Sequence, residues 1–251
     1  INILPYDLTS GQIAVIREID NDLASEDKML RLLQGDVGSG KTIVAFLTLI
    51  STVEAGFQGA FMAPTEILAR QHFEFLKPIA SEIGITVDII TGKDTKSQRA
   101  LILEKLETGA TNLLIGTHAL FQNEVKFKNL GYAVIDEQHK FGVNQRLALG
   151  DKGAGTNILI MTATPIPRTL TMIGYGDLDI SYLTSKLPGR IPIKTKAISS
   201  ERIGEVIEGI SRAIKKGARA YWICPLIEDN EENALVATEE RFRHLDSIFA
   251  G

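Results

Sequence analysis

The sequence reads as an α/β protein, a mostly parallel sheet with helices on both faces. Three observations carry that reading. Short, near-continuous apolar runs recur along most of the chain, as expected of parallel strands covered on both sides. Helical patterns separate those runs, and such alternation implies crossover connections and a parallel sheet. A glycine-rich stretch, GDVGSGKT at 35–42, stands where a strand pattern gives way to a helix pattern.

In chain order, the first strand is expected at 29–33 (MLRLL), followed by the glycine loop and a helix over 41–54. A strand at 59–63 leads to a helix over 65–82, for which Thr65 is a suitable N-cap. A strand at 86–91 precedes a helix over 95–107, which Gly109 ends. Further strands are expected at 112–115, 132–135 and 157–161. At 187–192, LPGRIP sets two prolines and a glycine in a short stretch and marks a linker. Beyond it the pattern restarts with a strand at 193–198, an amphipathic helix over 201–216, Gly217 and a strand at 220–224. One βαβ unit is too small to cover both faces of a sheet. The expected organisation is therefore one domain over 1–186, a linker over 187–192 and the truncated beginning of a second domain over 193–251. The first residue is not Met and the last helical pattern stops at Phe249, so the chain reads as a piece of something longer.

The 251 residues are enough for one large core or one core plus part of a second. A 44% hydrophobic and 23% charged composition is that of an ordinary globular protein. No apolar run approaches the ~18 residues of a membrane span. INILPYDLTSGQ at the start has neither a basic region nor an apolar signal core. A lone Cys224 excludes a disulfide framework and a cysteine metal cluster within one chain. The expected location is the cytoplasm, without a membrane partner. Net charge is −4, from 27 basic and 31 acidic residues, which excludes a generally basic nucleic-acid coat but permits a local phosphate-tracking groove.

The loop chemistry follows from its residue types. Gly35, Gly38 and Gly40, with Ser39 among them, let the backbone close around a β-phosphate with its N–H groups inward. The helix beginning at Lys41 adds a favourable dipole. Lys41 neutralises the β- and γ-phosphates, and the Thr42 hydroxyl is placed to ligate Mg²⁺. A plain glycine turn with a surface lysine is the bland alternative; the full pattern in strand–loop–helix context outweighs it. YAVIDE at 132–137 is an apolar strand that ends in Asp136, a carboxylate suited to a Mg²⁺-bound water network, with Glu137 beside it as a general base. The chain is thus expected to bind and hydrolyse a nucleoside triphosphate with Mg²⁺. It lacks the Asn/Thr-Lys-x-Asp tetrapeptide of guanine recognition, and upstream Gln12 could offer a donor and an acceptor to adenine, so the nucleotide is expected to be ATP.

Four further stretches make the reading more specific: MAPTEILARQH at 62–72, IGTHAL at 115–120, DEQHKFGV at 136–143 and MTATPIPRTL at 161–170. In this order and spacing they resemble the motifs of the superfamily 2 helicases, most nearly the RecG family of bacterial branched-DNA helicases. Transcription–repair coupling factors and replication-restart helicases carry similar blocks. DEQH followed by FGV favours the RecG family, because coupling factors usually have Asp-Glu-Glu-His there. YWICPLIE at 221–228 also looks like the start of that family's second motor domain, so the resemblance covers essentially the whole chain.

The resemblance implies a RecA-like P-loop NTPase fold and an ATP-dependent motor that remodels stalled forks and Holliday-type junctions in recombination and repair. It implies that Thr162 and Thr164 relay hydrolysis from the nucleotide to DNA-facing loops, with His139 as their partner on the acidic motif. It implies DNA contacts from Pro64, Thr65, Arg70, Thr91, Gly92, Thr117 and His118, where amides, hydroxyls and cations suit a sequence-blind grip. Thr65 and Thr117 also read as helix N-caps. Lys140 departs from the family, which usually has Arg there; the charge survives, a bidentate contact does not. A second RecA-like domain is implied as the source of an arginine finger, worth ~10³–10⁵ in rate in related NTPases. Neither a Gln-x-x-Gly-Arg-x-Gly-Arg stretch nor the family's DNA-holding wedge is present in these residues. The expected partners are branched DNA and the remaining domains of the same protein, and the chain alone is expected to bind Mg·ATP weakly and hydrolyse it slowly. A coupling-factor motor is the runner-up. A P-loop kinase needs a lid and an acceptor site that nothing here provides, and a decayed interaction module sits poorly with intact Lys41, Thr42, Asp136 and Glu137.

Overall fold

The computed structural model describes residues 4–136, 155–164, 178–184, 193–224 and 231–249. The chain divides into two compact units, Ile1–Arg190 and Ile191–Gly251.

The first unit is built on a seven-stranded sheet, every pair of which is parallel. Its strands are β1 (Leu30–Gly35), β2 (Gln58–Met62), β3 (Val87–Ile90), β4 (Leu113–Gly116), β5 (Leu130–Asp136), β6 (Asn157–Thr162) and β7 (Asp179–Leu183), in the spatial order β3-β4-β2-β5-β6-β1-β7. Burial follows position in the sheet. Inner strands β2 and β4 are buried at every residue, and apart from Gln58, whose amide bonds to Leu106 O and Thr111 O, their sequences carry no polar side chain. Edge strand β7 buries only Ser181 and Leu183. Its DISYL sequence has no apolar run, so this strand was not anticipated.

Among the described residues four helices flank the sheet: α1 (Ser10–Leu23), α2 (Lys41–Glu54), α3 (Glu66–Glu82) and α4 (Lys96–Thr108). One core packs α1, α2 and α3 against one face, through residues such as Ile19, Phe46, Leu76, Tyr132 and Val134. The other packs Leu106 of α4 and Leu120 against Met62, Leu114 and Ile135. Residues 132, 134 and 136 of β5 share the α2 side, because strand side chains alternate. Helix ends follow their capping chemistry. Thr65 accepts from Leu68 N at the start of α3, Thr95 closes a capping box with Gln98 on α4, and Gly109 ends α4 in the left-handed region at φ 82°. Helix α1 was missed, although Thr9-x-x-Gln12 forms a capping box that the sequence spells out.

Arg31, on β1 in the middle of an apolar run, is buried because carboxylates reach it from two elements. Its Nε lies 2.6 Å from Asp22 on α1 and its Nη2 3.7 Å from Asp179 on β7, while Nη1 donates to Ser181 Oγ at 2.9 Å. These contacts fasten α1 and the edge strand to the sheet.

In the second unit, Ser199 caps a 3₁₀ turn that continues into α5 (Ile203–Ile214), and α6 spans Glu231–Phe249. Residues 193–199 and 218–224 form no strand, contrary to the pattern-based expectation. A strand exists through its ladder partner, and among the described residues these segments have none; Ile193, Tyr221 and Ile223 are 78%, 89% and 86% exposed. No described helix is long and apolar enough to cross a membrane.

Candidate functional site

The glycine loop leaves the carboxyl end of β1 and enters α2. At Gly40, φ is +88° and a Cβ would lie 2.1 Å from the Gln12 amide nitrogen, so only glycine fits. At Gly35 a Cβ would meet Ser39 Oγ at 2.6 Å and Leu183 Cβ at 2.9 Å. Helix α2 begins with no side-chain cap and no acid in its first turn. Its first residue is instead a cation, Lys41, which the helix dipole disfavours there. An uncapped amino end that tolerates a lysine is suited to an anion. The Lys41 ammonium donates to Gly35 O at 2.8 Å and Asp36 O at 3.1 Å, folded over its own loop. The Ser39 hydroxyl is buried and, among the described residues, has no hydrogen-bond partner.

Register brings the acidic group to the same edge. On β5, Asp136 pairs with Met161 of β6, and the next β6 residue, Thr162, pairs with Gln34 of β1. Asp136, Thr162 and the glycine loop thus leave the sheet together from three adjacent strands. Four residues before Asp136, the buried Tyr132 hydroxyl lies 3.1 Å from Thr48 Oγ1 on α2, tying β5 to the helix that carries Lys41. Burial pushes the Tyr132 phenol well above its ordinary pKa, although the Thr48 hydrogen bond opposes this. Loop and carboxylate together offer a chemistry that fits a magnesium-bearing nucleotide, for which Thr42 and Asp136 would supply oxygen donors.

Gln12 is 1% exposed, and its amide is largely engaged within the protein. Oε1 accepts from Thr9 N at 2.9 Å and Nε2 donates to Ser39 O at 3.1 Å. Oε1 thus closes the capping box and one N–H holds the glycine loop, which leaves one N–H and the second lone pair of Oε1 for a further partner. Gln12, Gly40 and Thr42 line one side of a cleft of ≈ 350 Å³; Gln71, His72 and Phe75 of α3 line the other, with Tyr6 beside them. A larger cavity of ≈ 670 Å³, bordered by Asp20, Phe57 and Asn157, lies at the opposite, amino edge of the strands and holds none of the candidate residues.

Thr162 is buried, and its hydroxyl bonds to Thr164, accepting from Thr164 N at 3.1 Å and lying 3.0 Å from Thr164 Oγ1. This closes a small turn at the end of β6. Glu137, His139 and Lys140, together with 165–170 and the expected linker, lie outside the described residues.

The candidate DNA contacts follow β2, β3 and β4. Thr65, Arg70, Gly92 and His118 are exposed. Pro64, Thr91 and Thr117 are buried, so a DNA contact there falls to backbone groups rather than to their side chains. They sit where strand ends enter the next turn: Thr91 Oγ1 accepts from Lys93 N at 3.4 Å and from Arg70 Nη2 at 3.5 Å. Thr117 occupies the N-cap position of a 3₁₀ turn without a side-chain capping bond. Arg70 also donates to Glu66 at 3.0 Å, and Lys93 lies 3.5 Å from the same carboxylate.

One contact was not foreseen. His72 Nε2 lies 3.0 Å from Asp136 Oδ2, each side chain 12% exposed, and its ring packs on Phe61 with centroids 4.7 Å apart. His72 stands in the quoted 62–72 stretch, but its partner is 64 residues away and is visible only once β2 lies beside β5.

Residues 9–173 match the family model of the DEAD/DEAH box helicases. The chain is 46% identical over 248 residues to an ATP-dependent DNA helicase RecG from Aquifex aeolicus, covering 98% of this chain and 31% of that protein. It is 49% identical over 231 residues to the RecG of Staphylococcus epidermidis, covering 92% and 34%. It thus spans about a third of the length of these relatives. A structure of RecG bound to a three-way DNA junction superposes with a TM-score of 0.82 at 41% identity, covering 97% of this chain and 32% of the other.

Proposed function

The chain belongs to the DEAD/DEAH box helicase family, and from that premise we propose that it is the ATP-binding motor portion of a RecG-like DNA helicase that remodels branched DNA. Residues 1–186 form the first RecA-like motor domain in this reading, and 193–251 begin the second. The protein acts in the cytoplasm, in recombination and repair, on forks and junctions. Its working partners are that DNA and further domains of a longer protein.

The observation that carries the reading is the convergence of the Lys41 loop, Asp136 and Thr162 at one edge of three adjacent strands. Backbone N–H groups of the loop and the Lys41 ammonium bind the phosphates, the ammonium leaving its carbonyl partners to do so. Thr42 and Asp136 hold Mg²⁺, which when bound offsets the charge that builds on the transferring phosphoryl oxygens. Glu137, next to Asp136, orients the attacking water. Thr65, Arg70, Gly92 and His118 face the DNA backbone, where contacts position without reading sequence. The family likeness of the relatives supports the assignment, and the exposure of these four groups supports the DNA face.

The test is the ATPase rate of the full-length parent protein with forked DNA, with single-stranded DNA and with none. Stimulation, strongest with the fork, is expected. No stimulation by any nucleic acid overturns the motor reading and returns a P-loop kinase to first place.

A further inference from the structure

Where β2 meets β5, the sheet changes from strands that end in candidate DNA contacts to strands that end in the candidate nucleotide site. His72 crosses that boundary. It lies on α3, the helix whose first turns carry Thr65 and Arg70, and its Nε2 reaches Asp136 at the tip of β5. Both side chains are nearly buried, so the aspartate oxygen that accepts this bond has little access to water. The imidazole is held in turn: Phe61 packs on its ring, and Ala69 and Leu76 on the same helix are fully buried in the core.

We propose that His72 is a positioning residue for the metal-binding carboxylate of Asp136, fixing its orientation by donating Nε2–H to Oδ2. The proposal rests on the reading of Asp136 as a Mg²⁺ carboxylate. A group that orients a ligand from outside the metal's own shell changes metal affinity without touching the metal. A purely structural histidine, by contrast, affects every function of the fold together. The two differ in which equilibrium responds to the substitution.

The experiment measures binding of N-methylanthraniloyl-ADP to this chain across a MgCl₂ titration and in EDTA, for the wild type, His72→Ala, His72→Gln and Asp136→Asn. His72→Ala is expected to raise the Mg²⁺ concentration for half-saturation about tenfold while affinity in EDTA stays within about twofold. His72→Gln keeps an N–H donor and is expected to recover most of the loss. Asp136→Asn is expected to raise the Mg²⁺ requirement at least as far as His72→Ala. An unchanged or lowered requirement in His72→Ala, with Asp136→Asn impaired, overturns the positioning role alone. Equal losses with Mg²⁺ and in EDTA also overturn it, because they assign His72 to the fold. A flat response of Asp136→Asn removes the carboxylate reading, and the proposal goes with it.

Discussion

Strands β1, β5 and β6 and strands β2, β3 and β4 belong to one sheet, yet the loops at their carboxyl ends differ in character. On the first set, Ser39, Lys41, Asp136 and Thr162 are all at most 9% exposed. On the second set, Thr65, Arg70, Gly92 and His118 are open to solvent beside buried Pro64, Thr91 and Thr117, and in the first set Asp36, Val37 and Gly38 of the glycine loop are open as well. In the proposed function, the buried groups of the first set and the open groups of the second answer two recognition problems. A triphosphate is small and must be held in one geometry, which favours buried, fixed donors with few alternatives. A nucleic-acid backbone is long and repetitive, and exposed amides, hydroxyls and cations can grip it anywhere along its length. Parallel topology places both sets at the same edge of one sheet, and they meet at α3, the helix capped by Thr65, which brings His72 to Asp136.

The sharpest way to break this division is Lys41→Ala. Nucleotide turnover by the parent protein should fall about 10²–10³-fold, the loss typical of removing a positioned donor from a charge-stabilising site. Fluorescence anisotropy should show DNA affinity unchanged; an equal loss of DNA binding would mean that the two halves are not separate. Next comes Gly40→Ala, which places a methyl group against the Gln12 amide at a φ of +88°. Urea unfolding should show a loss of about 2–3 kcal/mol, the range for a non-glycine residue forced into strained backbone plus local displacement. Gln12→Ala, which removes the capping box and the bond to Ser39 O, should cost about 1–2 kcal/mol in the same assay and weaken nucleotide binding while leaving DNA binding alone. The smallest effect is expected on the open half: Arg70→Ala should weaken DNA binding of the parent protein about fivefold, lower the salt slope by about one, and leave nucleotide binding untouched. An Arg70 variant that loses nucleotide affinity as well would mean that the first turn of α3 acts together with its His72 turn at the nucleotide cleft.

How far the sequence could be read depended on whether a residue's role is local. Most of β1 to β6 are legible as near-continuous apolar runs, the edge strand β3 included, whereas the other edge strand, β7, alternates in burial and offers no such run. The glycine loop was legible because phosphate binding needs particular residue types in a row. The position of Gln12 near the loop points to an adenine contact, but the sequence does not show that its amide also joins the start of α1 to Ser39. The buried Arg31 passed for part of an apolar strand, since its carboxylate partners come from α1 and β7. Thr91 and Thr117 were placed at the right strand ends, but whether a side chain there faces out or in depends on how the following turn folds.

The order of residues alone sufficed for the parallel α/β class, the anion-binding loop and the acidic strand tip, because each follows from periodicity or from chemistry confined to a few neighbours. Only the folded sheet could decide that Asp136 lies two strands from the glycine loop and that its oxygen is held by His72. Those outcomes depend on which strand lies beside which, and strand adjacency is set by the competition of all the apolar faces for burial rather than by any single stretch of chain.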